Sequence, residues 1–354
     1  MPVNTSRTTY REHTDTENIL KLRQVLSTLP AFCKDYFRAI DSTTTTKTRI
    51  SYAYDIRIFF QFLLDENPVF KNYAMTDFSV DVLDQIKAID LEEYMEYLKV
   101  YQNGDKTETN GERGLKRKIS ALRSFYAYYY KREMIHSNPT VLIDVPKIHD
   151  KSIIRLDTDE VALLLDYIEH CGDSLTGQKR VYYEKTKERD LAIVTLLLGT
   201  GIRVSECVGL DIEDVDFKNN GIKVTRKGGN EMVVYFGEEV EKALKRYLEV
   251  RAGITPLAGH EHALFYSAQR KRMGVQAVEN MVKKYSRQIT TTKKITPHKL
   301  RSTYGTALYQ ETGDIYLVAD VLGHKDVNTT KKHYAALDDA RRRQAATAVR
   351  LRED

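Results

Sequence analysis

The chain reads as mostly α, in two parts. An N-terminal helical bundle precedes a mainly helical C-terminal domain that carries a small antiparallel β-sheet. This reading rests on the apolar pattern and its two interruptions. Apolar residues recur at three- and four-residue steps through most of the 354 positions. A β-branched, aromatic pattern brackets a Gly-Gly-Asn turn at 228–230. Pro139 and Pro146 break the helical pattern near the middle. At roughly 100–200 residues per domain, this length suits two or three domains.

A polar stretch leads into a short helical pattern over 16–29 that stops at Pro30. Over 43–65, Ile50, Tyr54, Ile58, Phe59, Phe62 and Leu63 share one helical face. The pattern repeats over 91–101, and again over 115–130 with Leu115, Ile119, Leu122, Phe125, Tyr126 and Tyr129. Residues 1–140 therefore read as an all-helical bundle, and 141–155 as an extended linker. The second domain, 156–354, opens on Asp157-x-x-Glu160, a capping-box pattern. The nearly apolar run that follows Glu188 predicts a central buried helix, ended by Gly199 and Gly201. Segments 222–225 and 232–236 predict a hairpin. Further helices are expected over 237–251, 275–288, 298–312 and 314–322.

Composition excludes several classes. With 42% hydrophobic residues, global disorder is excluded. The longest apolar run falls far short of the roughly 18 residues a membrane span needs, so no membrane association is expected. The N-terminus lacks a secretory h-region. The cysteines Cys33, Cys171 and Cys207 are far apart, with no CxxC, which argues against a disulfide scaffold or zinc module and suits a reducing cytoplasm. The net charge of +5 is too small to name a partner. Its distribution is more telling. Residues 111–133 hold seven basic residues against two acidic ones. Arg113, Lys116, Arg117, Lys118 and Arg123 lie in this cluster, which is either a solvated face or a phosphate-tracking surface.

Four short segments combine small residues with charge at element boundaries. In 200–206, Arg203 falls in the first turn of a helix after Gly201. A cation there is unfavourable unless an anion fills the site, although a surface pair with Glu206 is the plainer alternative. Lys227 sits in the hairpin turn, where lysines are common. His298 and Arg301, after Pro297, share a helical face at i, i+3 and can reach one phosphate. His324 follows Gly323 at a helix end, and Tyr334 comes ten residues later. Any one of these is weak. Together they offer donors for one non-bridging phosphate environment, as phosphoryl transfer requires. No acidic pair for magnesium, no HExxH and no G-x-x-x-x-G-K-[ST] accompanies them, so no metal, ATP or other cofactor is expected.

In this order, the segments TGIRVSE, TRKGGNE, TPHKLR, LGHKDVNTT and HYA resemble the catalytic set of the tyrosine site-specific recombinases, a phage-integrase-like family. The likeness runs over residues 157–345. KERDLAIVTLLLGTGIRVSECVGLDIEDVDF is most similar to the Xer-like branch of Gram-positive bacteria. The first domain is similar in layout to the family's helical DNA core-binding domain, and SNPTVLIDVPK to its interdomain segment. The resemblance implies that Arg203 and Arg301 clamp the phosphate. It implies that Lys227 protonates the 5′-hydroxyl leaving group, that His298 hydrogen-bonds the phosphate and takes the nucleophile's proton, and that His324 steadies the transition state. Tyr334 would be the nucleophile, and Glu206 would support Arg203. Two departures stand out. Ser302 follows Arg301 where the family often has histidine, and the step from His324 to Tyr334 is ten rather than the family's nine, with His333 at the ninth place. Tyr334 is the one tyrosine after Tyr316.

The resemblance further implies strand cutting and rejoining through a 3′-phosphotyrosyl link and a Holliday junction, without metal or ATP. The expected partners are a double-stranded recombination site, a homotetramer on two such sites, and accessory DNA-binding or partition proteins. The role would be chromosome-dimer resolution or mobile-element integration and excision. An alanine-rich tail helix after Tyr334 would dock on a neighbouring protomer. A catalytically silent DNA-binding regulator with the same fold is the alternative from another class, and it would have no use for Tyr334.

Overall fold

The computed structural model describes residues 9–148, 153–226, 229–324, 326–328 and 330. Two compact units divide the chain, Met1–Asp150 and Lys151–Asp354.

The first unit opens with α1 (Tyr10–Leu26), whose N-cap Thr9 exchanges hydrogen bonds with Glu12. Helices α2 (Cys33–Ala39), α3 (Thr46–Glu66), the single turn α4 (Val82–Gln85) and α5 (Ala88–Tyr97) follow. A hairpin of β1 (Val100–Asn103) and β2 (Lys106–Thr109) then leads to α6 (Glu112–Lys131). The core is aromatic. Phe59 and Phe60 of α3 meet Tyr126 and Phe125 of α6, and Tyr129 packs edge-on against Phe125 and Phe32. Buried tyrosines need a partner for the hydroxyl. Tyr129 donates to the Phe32 carbonyl at 2.7 Å, and Tyr36 bonds the Ser124 hydroxyl at 2.9 Å.

Three findings differ from the sequence reading of this unit. The bundle is not all helical, because residues 100–109 pair as a hairpin with Asn103 opposite Lys106. Gly104, at φ +61°, sits at the first position of the two-residue loop, which suits a tight hairpin turn. Residues 139–143, which overlap the start of the expected linker, pack into the first unit. Pro139–Val141 forms a short 3-10 turn, Arg123 donates to the carbonyls of Thr140 and Ile143, and Ile143 is buried. Lys118, expected on a DNA-facing surface, is buried against Asp55 at 3.2 Å, and Arg117 pairs with the same carboxylate.

The second unit starts at α7 (Thr158–His170), where the Glu160 carboxylate accepts from the Asp157 amide at 2.8 Å. Helix α8 (Gly177–Thr200) runs through the centre, with the side chains of 191–194, 196 and 197 buried, and packs on α7, α10 and α12. Next come α9 (Val204–Gly209) and a three-stranded antiparallel sheet in the order β3 (Val215–Asp216), β4 (Gly221–Thr225), β5 (Glu231–Tyr235). Val224 pairs with Met232 and Thr225 with Glu231, which places the turn at 226–230. Helices α10 (Glu238–Ala252), α11 (Val275–Ile289), α12 (Pro297–Thr312) and α13 (Ile315–Leu322) complete the unit. Among the described residues, no helix is long and apolar enough to cross a membrane.

The buried Asp55–Lys118 pair generates a stability test. Asp55→Ala leaves the Lys118 ammonium inside the core without its carboxylate, which should cost about 3–5 kcal/mol. Urea unfolding followed by circular dichroism measures this. Lys118→Met should cost less, because Asp55 keeps Arg117. Equal costs for the two variants would show that the pair is not what holds this position.

Candidate active site

The site assembles at the C-terminal end of α13. Gly323 is left-handed there, at φ +60°. Its amide bonds the Asp320 carbonyl at 2.7 Å, and the His324 amide bonds the Ala319 carbonyl at 2.9 Å. That is the Schellman pattern, and it leaves the carbonyls of Val321, Leu322 and Gly323 without helical amides.

Three arginines from distant parts of the unit supply the missing donors. Arg203, at the N-cap of α9, reaches the Gly323 carbonyl at 3.3 Å. Arg226, at the end of β4, donates to Leu322 at 3.0 Å and Val321 at 2.8 Å. Arg301, in the second turn of α12, donates to the Leu322 carbonyl and to the Gly201 carbonyl. Cations at a helix C-terminus meet the negative end of its dipole. Backbone carbonyls, however, do not neutralise them.

Glu206 supplies negative charge. It is buried, accepts from Arg203 Nη1 at 2.8 Å and from the Arg203 amide at 2.8 Å, and pairs with Arg226 at 3.5 Å. Burial lowers the Arg226 pKa and Glu206 opposes that shift. Three guanidiniums against Glu206 and the more distant Asp320 leave an excess of positive charge among these groups. Arg203 is the more open member, its side chain 35% exposed, while Arg226 and Arg301 are buried. Such a cluster suits an oxyanion approaching over Arg203.

The structure thus joins Arg203, Glu206, Arg301 and the 322–324 turn in one network. His324 bonds the buried Thr330 hydroxyl at 2.7 Å. His298 is exposed in the first turn of α12, one turn from Arg301. Lys227, Tyr334 and the expected tail helix lie outside the described residues. Among the described residues, no group of three His, Cys, Asp or Glu is placed to hold a metal ion. In the first unit, Arg113 and Lys116 are exposed on α6, and Arg117 is half exposed beside Asp55. Lys118 and Arg123 are spent inside the unit.

Sequence reasoning held Arg226 only as a flank of Lys227 and a substitute general acid, not as part of this network. A signal was present. Ile222 and Val224 face inward on β4, so the same alternation turns Arg226 inward. A charged residue at a buried strand parity needs partners, and here it has Glu206 and two carbonyls.

The chain is similar to several known proteins. The profile of the phage integrase family matches residues 155–341. The chain is 31% identical to the tyrosine recombinase XerC of Caldanaerobacter subterraneus subsp. tengcongensis, over 90% of this chain and 86% of that protein. It is 29% identical to the tyrosine recombinase XerS of Streptococcus uberis, over 90% of this chain and 95% of that protein. Among solved structures, XerH bound to palindromic difH in a post-cleavage complex shares the fold. Its TM-score is 0.63 at 19% identity, with 98% of this chain and 90% of that chain covered.

Gly201 carries a prediction of its own. It ends α8 at φ +61°, and an added Cβ would lie 2.4 Å from the Tyr304 ring and 2.9 Å from Leu322. Gly201→Ala should therefore destabilise the second unit by about 1–3 kcal/mol through overpacking, with backbone strain added. Thermal unfolding checks it, and an unchanged midpoint would contradict the close packing.

Proposed function

The chain belongs to the phage integrase family and is a tyrosine recombinase, and on that premise we propose how its own residues exchange DNA strands at a defined duplex site. The observation that carries the reading is the positive cluster at the end of α13, with Arg203 open beside Glu206 and Arg301. The scissile phosphate sits on Arg203 and Arg301, which take the charge on its non-bridging oxygens. Glu206 holds Arg203 in place. The Tyr334 hydroxyl attacks phosphorus as His298 accepts its proton, and His324 donates a hydrogen bond to the phosphate. The 5′-oxygen departs with a proton from Lys227. The products are a 3′-phosphotyrosyl ester and a free 5′-hydroxyl. Attack by a second strand's 5′-hydroxyl reverses these steps, so the ester retains the bond energy and no ATP is consumed. No step in this scheme calls on a metal.

Two rounds of exchange between paired sites pass through a Holliday junction and require four protomers on two duplexes. The chain acts in the cytoplasm, where accessory DNA-binding or partition proteins assist assembly. Arg113, Lys116 and Arg117 bind DNA phosphates from the first unit. Lys118 and Arg123 maintain the shape of that unit rather than touch DNA.

Trapping tests the reading. Incubation with fragmented genomic DNA, denaturation and sequencing of the attached ends should map one recurrent site. Tyr334→Phe should retain DNA affinity and lose the denaturant-stable adduct. An adduct that persists in Tyr334→Phe shows that another residue is the nucleophile, and His333→Ala run beside it tests the neighbouring register.

The role of Lys227 has a separate test. A general acid matters only for a poor leaving group. A 5′-bridging phosphorothiolate departs as a thiolate without a proton. Lys227→Ala should be slow on ordinary DNA and largely rescued on the sulfur-substituted strand. Equal defects on both substrates would assign Lys227 to binding alone.

A further inference from the structure

We propose that Arg226 is the positioning residue that fixes the separation of Arg203 and Arg301. The proposal rests on the reading of those two arginines as phosphate clamps. Arg226 shares an acceptor with each of them. Its Nη1 faces Glu206 Oε2 at 3.5 Å, and the other oxygen of that carboxylate holds Arg203 at 2.8 Å. The same Nη1 donates at 3.0 Å to the Leu322 carbonyl, which also accepts from Arg301. One guanidinium therefore bridges the anchor of one clamp to the anchor of the other. Arg226 Nη2 binds the Val321 carbonyl at 2.8 Å and adds a third point of attachment to the end of α13.

The main chain of Arg226 is fixed as well. Its amide donates to the Asn230 carbonyl at 2.8 Å, and its carbonyl accepts from Gly229 at 3.0 Å. The side chain thus extends from the closed base of the β4–β5 turn to the helix end. Its side facing Gly323 is tightly packed. A Cβ on Gly323 would lie 2.9 Å from Arg226 Cζ, so glycine is what lets the guanidinium fit beneath the turn. Its terminal nitrogens are engaged with protein acceptors, and it is buried where Arg203 is partly open. A planar fork with several donors can serve Glu206, Leu322 and Val321 at once. A lysine's single nitrogen cannot match that geometry.

The test uses the full chain and a nicked duplex carrying the site that covalent trapping maps. One substrate has an ordinary scissile phosphate. The other has a methylphosphonate there, which is neutral and asks little of the charge clamps. Arg226→Lys and Arg226→Met are compared with Arg203→Ala and Arg301→Ala. Each rate is taken relative to the unaltered chain on the same substrate. Misplacing a clamp by an ångström costs on the order of 100-fold. Both Arg226 variants should therefore cleave the phosphate about 10- to 100-fold more slowly in a single turnover, with DNA affinity within about twofold. On the methylphosphonate that defect should largely vanish, as it should for the two clamp variants. If Arg226→Met fails to fold, Arg226→Lys, which keeps the cation beside Glu206, carries the measurement. Equal losses on both substrates, or no loss on the phosphate, would overturn the positioning role. Arg203→Ala and Arg301→Ala that cleave the phosphate normally would overturn the clamp reading, and this inference with it. Clamp variants that behave as expected beside Arg226 variants that do not would overturn this inference alone.

Discussion

The end of one short helix organises the second unit. Helix α13 finishes in a Schellman turn at Gly323, and three of its last carbonyls are taken by guanidiniums rather than by amides. A buried carbonyl without a donor costs stability, so these contacts satisfy a folding requirement first. The same contacts bring residues 203, 226 and 301 to one place. Folding and site assembly are therefore one event. A side chain at 323 would intrude on Arg226, and one at 201 on Tyr304 and Leu322.

Arginine at a helix end is not by itself the mark of a site. Helix α9 offers a control in the same unit. Arg272 donates to the carbonyls of Val208 and Leu210 just where that helix stops, and its guanidinium also pairs with Asp211. One cation there meets one carboxylate. At α13 two of the three arginines, Arg203 and Arg226, share Glu206, and Arg301 bonds the carbonyls of Gly201 and Leu322. What differs is the charge balance. Three guanidiniums gathered at one helix end, with Arg203 the more open, form a positive patch that an anion can approach. Preorganised charge of this kind stabilises a transition state without reorganisation during the reaction.

The parts of the site readable from sequence were charged residues beside glycines at helix boundaries. Arg203 after Gly201, Arg301 after Pro297 and His324 after Gly323 each stand where a helix starts or stops, and boundaries are written locally in glycine and proline. Arg226 has no such marker. Its place becomes visible only once β4 is assigned its inward parity, and its partners lie about 20 and 95 residues away. The 100–109 hairpin was legible in principle from Asn103-Gly104-Asp105 between Tyr101 and Thr107, but the helical periodicity before and after it drew the segment into the bundle. The helices over 237–251 and 275–288 were plain because each carries its own amphipathic face, and 298–312 because Pro297 marks its start.

The basic helix α6 shows why a charge run should be divided by face before it is assigned a partner. Its buried positions are 115, 118, 119, 121, 122, 125, 126 and 129, one broad helical face. Lys118 falls on that face. Asp55 falls in the buried stripe of α3, among Ala53, Ile56 and Phe59. A charge in the apolar stripe of each of two packed helices is a complementary defect, and burying either calls for a partner from the other helix. Sliding α6 by one turn along α3 would leave both charges in hydrocarbon, which costs more than the pair itself contributes. The pair thus acts against wrong registers more than it strengthens the right one. Arg123, drawn in to the carbonyls of residues 140 and 143, closes the end of the first unit in the same way. What remains for an external phosphate is the outer face at Arg113, Lys116 and the half-exposed Arg117, a narrower surface than the count of basic residues implies.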